Sequence, residues 1–389
     1  MIASPFALLA VLASTAALVF QLERLPALAP LFRRLPPIFW VYVLPMLATT
    51  VGLLPEASPL YGVMTHTLLP TSLVLLLLSS DLRAIVRLGP RALATMAASV
   101  VGIALGAVVA FFAFRSALGP EGWKGLAALT GTWTGGSANL IAVATALGLS
   151  PSAQGVAIVV DTIVGYSWMA VLVALSARQA ALDRRLGADR RLVAEVGERV
   201  AARLERDRRP TTVADVTLLV GIALAVAALA GLVGAHLPAL GNVLGPFAWT
   251  ILLVTTGALL LSLTPLAKLD GAGGSSLGYA AFYLLMAAVG AQANLSRVVS
   301  QPLWVAAGVV MILVHAVVLL AALRLLRAPS FFFGAASQAA VGGYSSAPIV
   351  AEIYQPGLAP VGLLMAVVGN VLGTYLGLAV GQLLLWLAR

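Results

Sequence analysis

The sequence predicts an all-α integral membrane fold: two inverted repeats of five transmembrane helices, each with a broken, re-entrant segment marked by a glycine pair. Three observations predict it. The chain is 61% hydrophobic and only 10% charged, with mean hydropathy +1.03. A water-facing surface needs more polar residues than that, so lipid is the natural solvent. Apolar runs of about 20 residues, the length that spans a hydrocarbon core, recur along the whole chain. Twice such a run is interrupted by Gly-Gly followed by small polar residues, in GTWTGGSANL at 131–140 and VGGYSS at 341–346.

Taken in order, spans are expected near 5–22, 36–54, 64–80, 91–113 and 153–177, then near 213–235, 243–263, 276–292, 302–325 and 358–386. The first run lacks the basic flank and small-residue cleavage site of a secretory leader, so it is expected to stay as a helix. The glycine-bearing segments, about 125–147 and 331–352, are apolar but interrupted. Loop charges orient the chain. Arg24, Arg33 and Arg34 lie in 23–35, and Arg83, Arg87 and Arg91 in 81–91. Residues 178–212 hold ten arginines and six acids, whereas 55–63 and 235–242 hold no Lys or Arg. With basic loops in the cytoplasm, a full crossing by 125–147 would put the most basic loop outside. A dip that returns to its own side puts it inside. The same choice for 331–352 leaves Arg324 and Arg327 inside and both termini outside, in the cell (inner) membrane. Five crossings per half then invert the second half. Twelve full crossings are the alternative.

An internal repeat supports the division into 1–177, a linker at 178–212, and 213–389. At an offset of 207, Gly135 and Gly136 fall on Gly342 and Gly343, Val143 and Ala144 on Val350 and Ala351, and Gly155 on Gly362. At 213, Asp81 and Leu82 fall on Asn294 and Leu295, and Val86 on Val299. Inverted repeats with interrupted helices are characteristic of secondary transporters. In the linker Leu182, Leu186, Val193, Val196, Val200 and Leu204 recur at helical spacing. This reads as a cytoplasmic amphipathic helix with arginines on anionic headgroups, or as a solvated linker.

Backbone at membrane depth must be paired or must line a wet cavity. Glycine pairs let the chain turn there. Gly135, Gly136, Ser137 and Asn139 from one half, and Gly342, Gly343, Ser345 and Ser346 from the other, form the candidate solute site. Half-helix N-termini there attract anions. Tyr344 adds a hydroxyl, and Pro348 lies near the start of the second descending arm. Asp161, in IVVDTIVGYSW, is the acid deepest in a span and by default a functional residue. Asn370 is its near-equivalent in the second half once the repeat alignment slips. With Thr134 and Gln338 these complete the candidate ion-coupling set, for Na⁺ or H⁺. Thr130 and Ser337, aligned by the repeat, are minor contributors. Glu352 reads as interfacial, Asp81 and Asn294 as helix caps.

No Cys, no H-E-x-x-H and no G-x-x-x-x-G-K-[ST] occurs, so thiolate chemistry, a zinc protease and a resident ATPase lose support. His66, His236 and His315 are scattered and read as packed or interfacial. No catalytic constellation or cofactor motif is present, and an enzyme is not expected. The net charge of +9 reflects membrane orientation rather than nucleic acid. The expected partners are the bilayer, a small solute and a second copy in a homodimer.

GTWTGGSANLIAVATALG, DTIVGYSWM, and SQAAVGGYSSAPIVAEIY with VGNVLGTYLG resemble the bacterial and plastid membrane proteins of domain-of-unknown-function family 819, over nearly the whole chain. More remotely the design is similar to the sodium/glutamate symporter family, which implies ion-coupled uptake of an anionic solute. Here Ser137-Ala138 and Tyr344-Ser345 follow the pairs, where that family commonly carries a further glycine. The sequence therefore predicts an ion-coupled, alternating-access secondary transporter for a small, anionic organic solute, a carboxylate or amino acid. The tips with 153–177 and 358–386 would move against a scaffold of the remaining helices. A channel or pore, or the membrane component of a sensor or enzyme complex, is the alternative.

Overall fold

A computed structural model describes residues 2, 4–35, 37–78, 82–189, 191–201, 210–240, 243–295 and 301–388. Among them the only extended pairing is a single bridge between Leu240 and Leu244. In chain order the helices are α1 (Pro5–Glu23), α2 (Ala29–Arg34), α3 (Pro37–Thr50), α4 (Pro59–Leu78), α5 (Leu82–Ile85), α6 (Gly89–Phe114), α7 (Gly122–Gly135), α8 (Ser137–Ala146) and α9 (Pro151–Ser176). They continue with α10 (Gln179–Leu186), α11 (Arg191–Ala201), α12 (Val213–His236), α13 (Pro246–Ser262), α14 (Gly274–Ala291), α15 (Pro302–Leu326), α16 (Phe331–Val341), α17 (Gly343–Tyr354) and α18 (Ala359–Leu387).

All ten expected spans coincide with helices. Among the described residues eight are long and apolar enough to cross a membrane by themselves. Pro37–Thr50 is shorter, and Pro246–Ser262 continues through a 93° bend into Pro265–Ala272. Helix starts follow local chemistry. Prolines open α1, α3, α4, α9, α13 and α15, where a missing N–H costs nothing. Thr212 and Asp215 form a reciprocal capping box on α12.

The helices pack as two groups. One gathers α1, α3, α4, α12, α13 and α14. The other gathers α6–α9 and α15–α18, with little contact between them. The expected division of labour needs one correction: α6 and α15 pack with the broken helices, not with the remaining spans. Their sequence explains it. Gly102 and Gly106 bring α6 so close to α15 that an added Cβ would lie 2.9 Å from His315 Cα and 2.5 Å from the Met311 carbonyl. A longer ladder, Gly369, Gly373, Gly377 and Gly381 on α18, seats that helix on α7 at the Thr134, Gly131 and Ala127 backbone.

The linker is also corrected. It is not one helix: Gly187 closes α10 at φ +62°, and α11 starts after the break. Neither helix simply rests on headgroups. Leu192, Val193 and Val196 are buried, and Gly197 meets Leu358. Asp183 accepts from the Ser330 N–H and hydroxyl at 2.8 and 2.6 Å. The Asp189 N–H donates to the Arg327 carbonyl at 2.8 Å, and Arg91 pairs with the Asp189 carboxylate at 3.3 Å. On the other side of the molecule, Asn294 donates to Glu56 at 3.0 Å. Asp81, Val299 and Leu204 lie outside the described residues, as does the side chain of Val200.

Candidate functional site

Each glycine pair ends one helix and begins another. Gly136 has φ +91° and ψ 173°, and Gly343 has φ +59°. L side chains disfavour both angles, so glycine is the residue that permits each break. The result is two helical hairpins. At the base of the first, Glu121 accepts from the Ser150 N–H and hydroxyl at 3.2 and 2.5 Å. Lys124 there donates to the Gly148 carbonyl at 3.0 Å. At the base of the second, the Tyr354 ring lies against Gly334, and its hydroxyl donates to the Leu172 carbonyl at 2.9 Å.

Ser150 precedes α9 and Leu172 lies near its end. The 26 residues of α9 extend about 39 Å at 1.5 Å per residue. The two bases therefore sit at opposite ends of α9, and the tips point toward each other. They meet: a Cβ built on Gly343 would lie 3.7 Å from Gly136 Cα.

A cavity of about 340 Å³ opens beside the joined tips. One wall is Gly135, Gly136, Ser137, Gln338, Gly342, Gly343, Tyr344 and Ser346, with Asp161 and Tyr166 from α9 and Asn370 from α18. The facing wall comes from the other helix group: Phe20 and Glu23 of α1, Ile38 of α3, Leu76 of α4, and Tyr279, Phe282 and Tyr283 of α14. The cavity thus lies on the seam between the two groups.

Asp161 is half-buried and faces this space. Trp133 Nε1–H donates to its Oδ1 at 2.8 Å. Among the described residues no lysine or arginine is paired with it. A carboxylate at this depth without a cation is unusual in a membrane protein. Gln338, 2% exposed, donates through Nε2 to Ser346 Oγ at 2.6 Å. Its Oε1 is buried without a hydrogen-bond partner.

Nine expected site residues therefore share one cavity: Gly135, Gly136, Ser137, Asp161, Gln338, Gly342, Gly343, Ser346 and Asn370. Asn139, expected to bind solute, and Thr134, expected to serve the coupling ion, are not among the lining residues. Asn139 is buried in a fastening network instead. Its Nδ2 donates to the Gly135 carbonyl at 2.8 Å and to Asn370 Oδ1 at 2.9 Å, and its Oδ1 accepts from Thr374 at 2.5 Å. Thr134 is fully buried, and its hydroxyl has no partner. The side chain of Ser345 lies outside the described part. Thr130 donates back to the Leu126 carbonyl. Ser337 and His315 form a buried cluster with Trp168 and Ser99, consistent with a packed histidine. Glu352 is exposed and accepts from the Gly357 and Ala359 N–H groups at the start of α18. Pro348 sits within α17.

Three contributors escaped the sequence reading. Trp133 sits in GTWTGG, and its indole N–H was the available donor at that depth. The other two are Thr374 and the tyrosine wall of α14, which only the fold brings near.

The family model described as "Protein of unknown function (DUF819)" matches residues 10–387. The chain belongs to this family. It is also 25% identical over 347 residues to "Uncharacterized membrane protein YjcL" of Bacillus subtilis (strain 168), covering 85% of this chain and 86% of that protein. This DUF819 protein is accordingly an all-α membrane protein, and its outward apolar residues, such as Leu232 and Val317 at 65% and 67% exposure, meet the bilayer.

Proposed function

We propose that the protein is an ion-coupled secondary transporter working by alternating access, built as inverted repeats over 1–177 and 213–389 around the linker at 178–212. The observation that carries this reading is the meeting of two positive-φ glycines over a cavity that also holds Asp161 without a basic partner. The Arg91–Asp189–Arg327 contacts support the orientation, because they gather three basic segments on one side. Asn294 and Glu56 gather on the other. Hairpins whose ends return to one side fit two re-entrant segments among ten crossings.

In this reading α6–α9 and α15–α18 move as one body against the rest, and the cavity on their seam changes the side to which it opens. Glu23 and Tyr279 line it near the ends of α1 and α14 that the charge distribution assigns to the cytoplasm, which supports an inward-facing state in this reading. Asp161 holds the coupling cation, Na⁺ in preference to H⁺. First-turn N–H groups of α8 and α17, which have no helical acceptor, hold a carboxylate on the solute.

The test is uptake by reconstituted vesicles under an imposed sodium gradient. Asp161→Asn is expected to insert normally and to abolish gradient-driven uptake. Undiminished uptake in that variant would remove Asp161 from the mechanism.

A further inference from the structure

The charges and unpaired atoms of the cavity narrow the solute class, resting on the transport reading just given. Two carboxylates face the cavity, Asp161 at depth and Glu23 at the end of α1, and no described lining residue is Lys, Arg or His. The helix ends do not reverse this balance. Each tip brings a helix C-terminus, from α7 or α16, as well as an N-terminus, from α8 or α17, so the opposite end charges largely cancel. A coupling cation on Asp161 would neutralise one carboxylate only. A purely anionic solute would then add negative charge to a site already negative and partly shielded from water.

The orphan oxygen points the same way. Gln338 lines the cavity, its Oε1 is a buried acceptor without a donor, and leaving such a group unpaired is costly. A carboxylate cannot satisfy it, but an N–H group can. The surrounding rings suit an apolar side chain. Tyr279 and Tyr283 stack with centroids 6.1 Å apart, and Phe20 sits edge-on to Tyr283 at 4.8 Å. Ile38, Leu76 and Phe282 add apolar wall.

We propose that the solute is a zwitterion of the α-amino-acid class with an apolar side chain. Its protonated amino group donates to Gln338 Oε1, its carboxylate takes the N–H groups of the tips, and its side chain packs on the α14 wall.

The experiment uses the full chain in lipid nanodiscs and follows thermal unfolding in sodium or potassium chloride. The probes are L-leucine, L-phenylalanine, N-acetyl-L-leucine, N,N,N-trimethyl-L-leucine and succinate. The free amino acids are expected to stabilise at concentrations about tenfold to a hundredfold lower than the blocked forms, the range for losing one hydrogen bond to a charged group. Gln338→Leu should erase that preference, whereas Gln338→Glu, which keeps an acceptor, should retain it. The unliganded melting point of each variant shows whether it folds.

Stabilisation by N-acetyl-leucine or succinate at equal or lower concentration overturns the proposal, and so does a panel in which no compound shifts the transition. Radiolabelled uptake separates this proposal from the one beneath it. Vesicles that accumulate N-acetyl-leucine but no free amino acid leave transport standing and sink the amino group. Protein that binds leucine but accumulates nothing under any ion gradient keeps the site and sinks transport.

Discussion

Asp161 on α9 and Asn370 on α18 come from the two halves of the chain and border the same cavity, yet their surroundings differ. Asn370 uses both ends of its amide: Oδ1 accepts from Asn139, and Nδ2 donates to Tyr344 at 2.9 Å. It ties the first hairpin to the second through α18. Asp161 accepts from Trp133 and otherwise faces the cavity. One position holds the tips together, and the other leaves its carboxylate facing the cavity. An exact symmetric pair of acids would repel, whereas an amide opposite an acid gives one structural knot and one charged seat.

The largest effect on this comparison should come from moving the charge. The double exchange Asp161→Asn with Asn370→Asp keeps the composition of the pair. It is expected to leave gradient-driven uptake at background, as in Asp161→Asn alone, because Asn139 and Tyr344 already occupy position 370. Recovered uptake in vesicles carrying the double variant would make the two seats interchangeable.

The next effect concerns packing. Gly369→Ala places a methyl group on the Thr134 carbonyl. It should cost about 1–3 kcal/mol, the range for overpacking a tight contact, read as a lowered thermal midpoint in nanodiscs. Asn139→Ala leaves Asn370 and Thr374 without their shared partner. A loss of about 1–3 kcal/mol is expected from the unpaired polar groups, with Asn139→Asp no milder, because it keeps the acceptor for Thr374 but sets a buried carboxylate oxygen against the Gly135 carbonyl and Asn370 Oδ1. Gly136→Ala meets no atom within 4 Å, so its cost is backbone strain alone, of order 1–3 kcal/mol. The smallest effect is expected at Arg91→Ala. That exposed ion pair is worth about 0–1 kcal/mol, and its midpoint should scarcely move.

Much of this architecture is legible in the residues. Apolar run length locates ten helices, eight of which are long and apolar enough among the described residues to cross a membrane by themselves. The paired glycines locate both breaks, since only a residue free of Cβ takes φ +91° at Gly136 without strain. The linker shows where periodicity misleads: its helical spacing continues across Gly187, and the left-handed turn there divides it. Asn139 shows a second limit. Beside a glycine pair its amide reads as a solute ligand, but an amide at membrane depth needs partners, and α18 supplies them from more than 200 residues away. The α14 tyrosines face the tips because two helix groups meet there, which no local pattern announces. Conversely, the ladder from Gly369 to Gly381 has the four-residue spacing of close helix contacts and was readable as such.

The most direct test exploits a chain with no cysteine of its own. Gly136→Cys and Gly343→Cys are introduced together, with Glu121→Cys and Ser150→Cys as the pair at one hairpin base, and intramolecular disulfide formation is measured in native membranes by mass spectrometry. Opposed tips that touch within the bilayer predict a cross-link in both pairs. A cross-link at the base with none between positions 136 and 343, in protein that inserts and unfolds in one cooperative transition, would contradict the account.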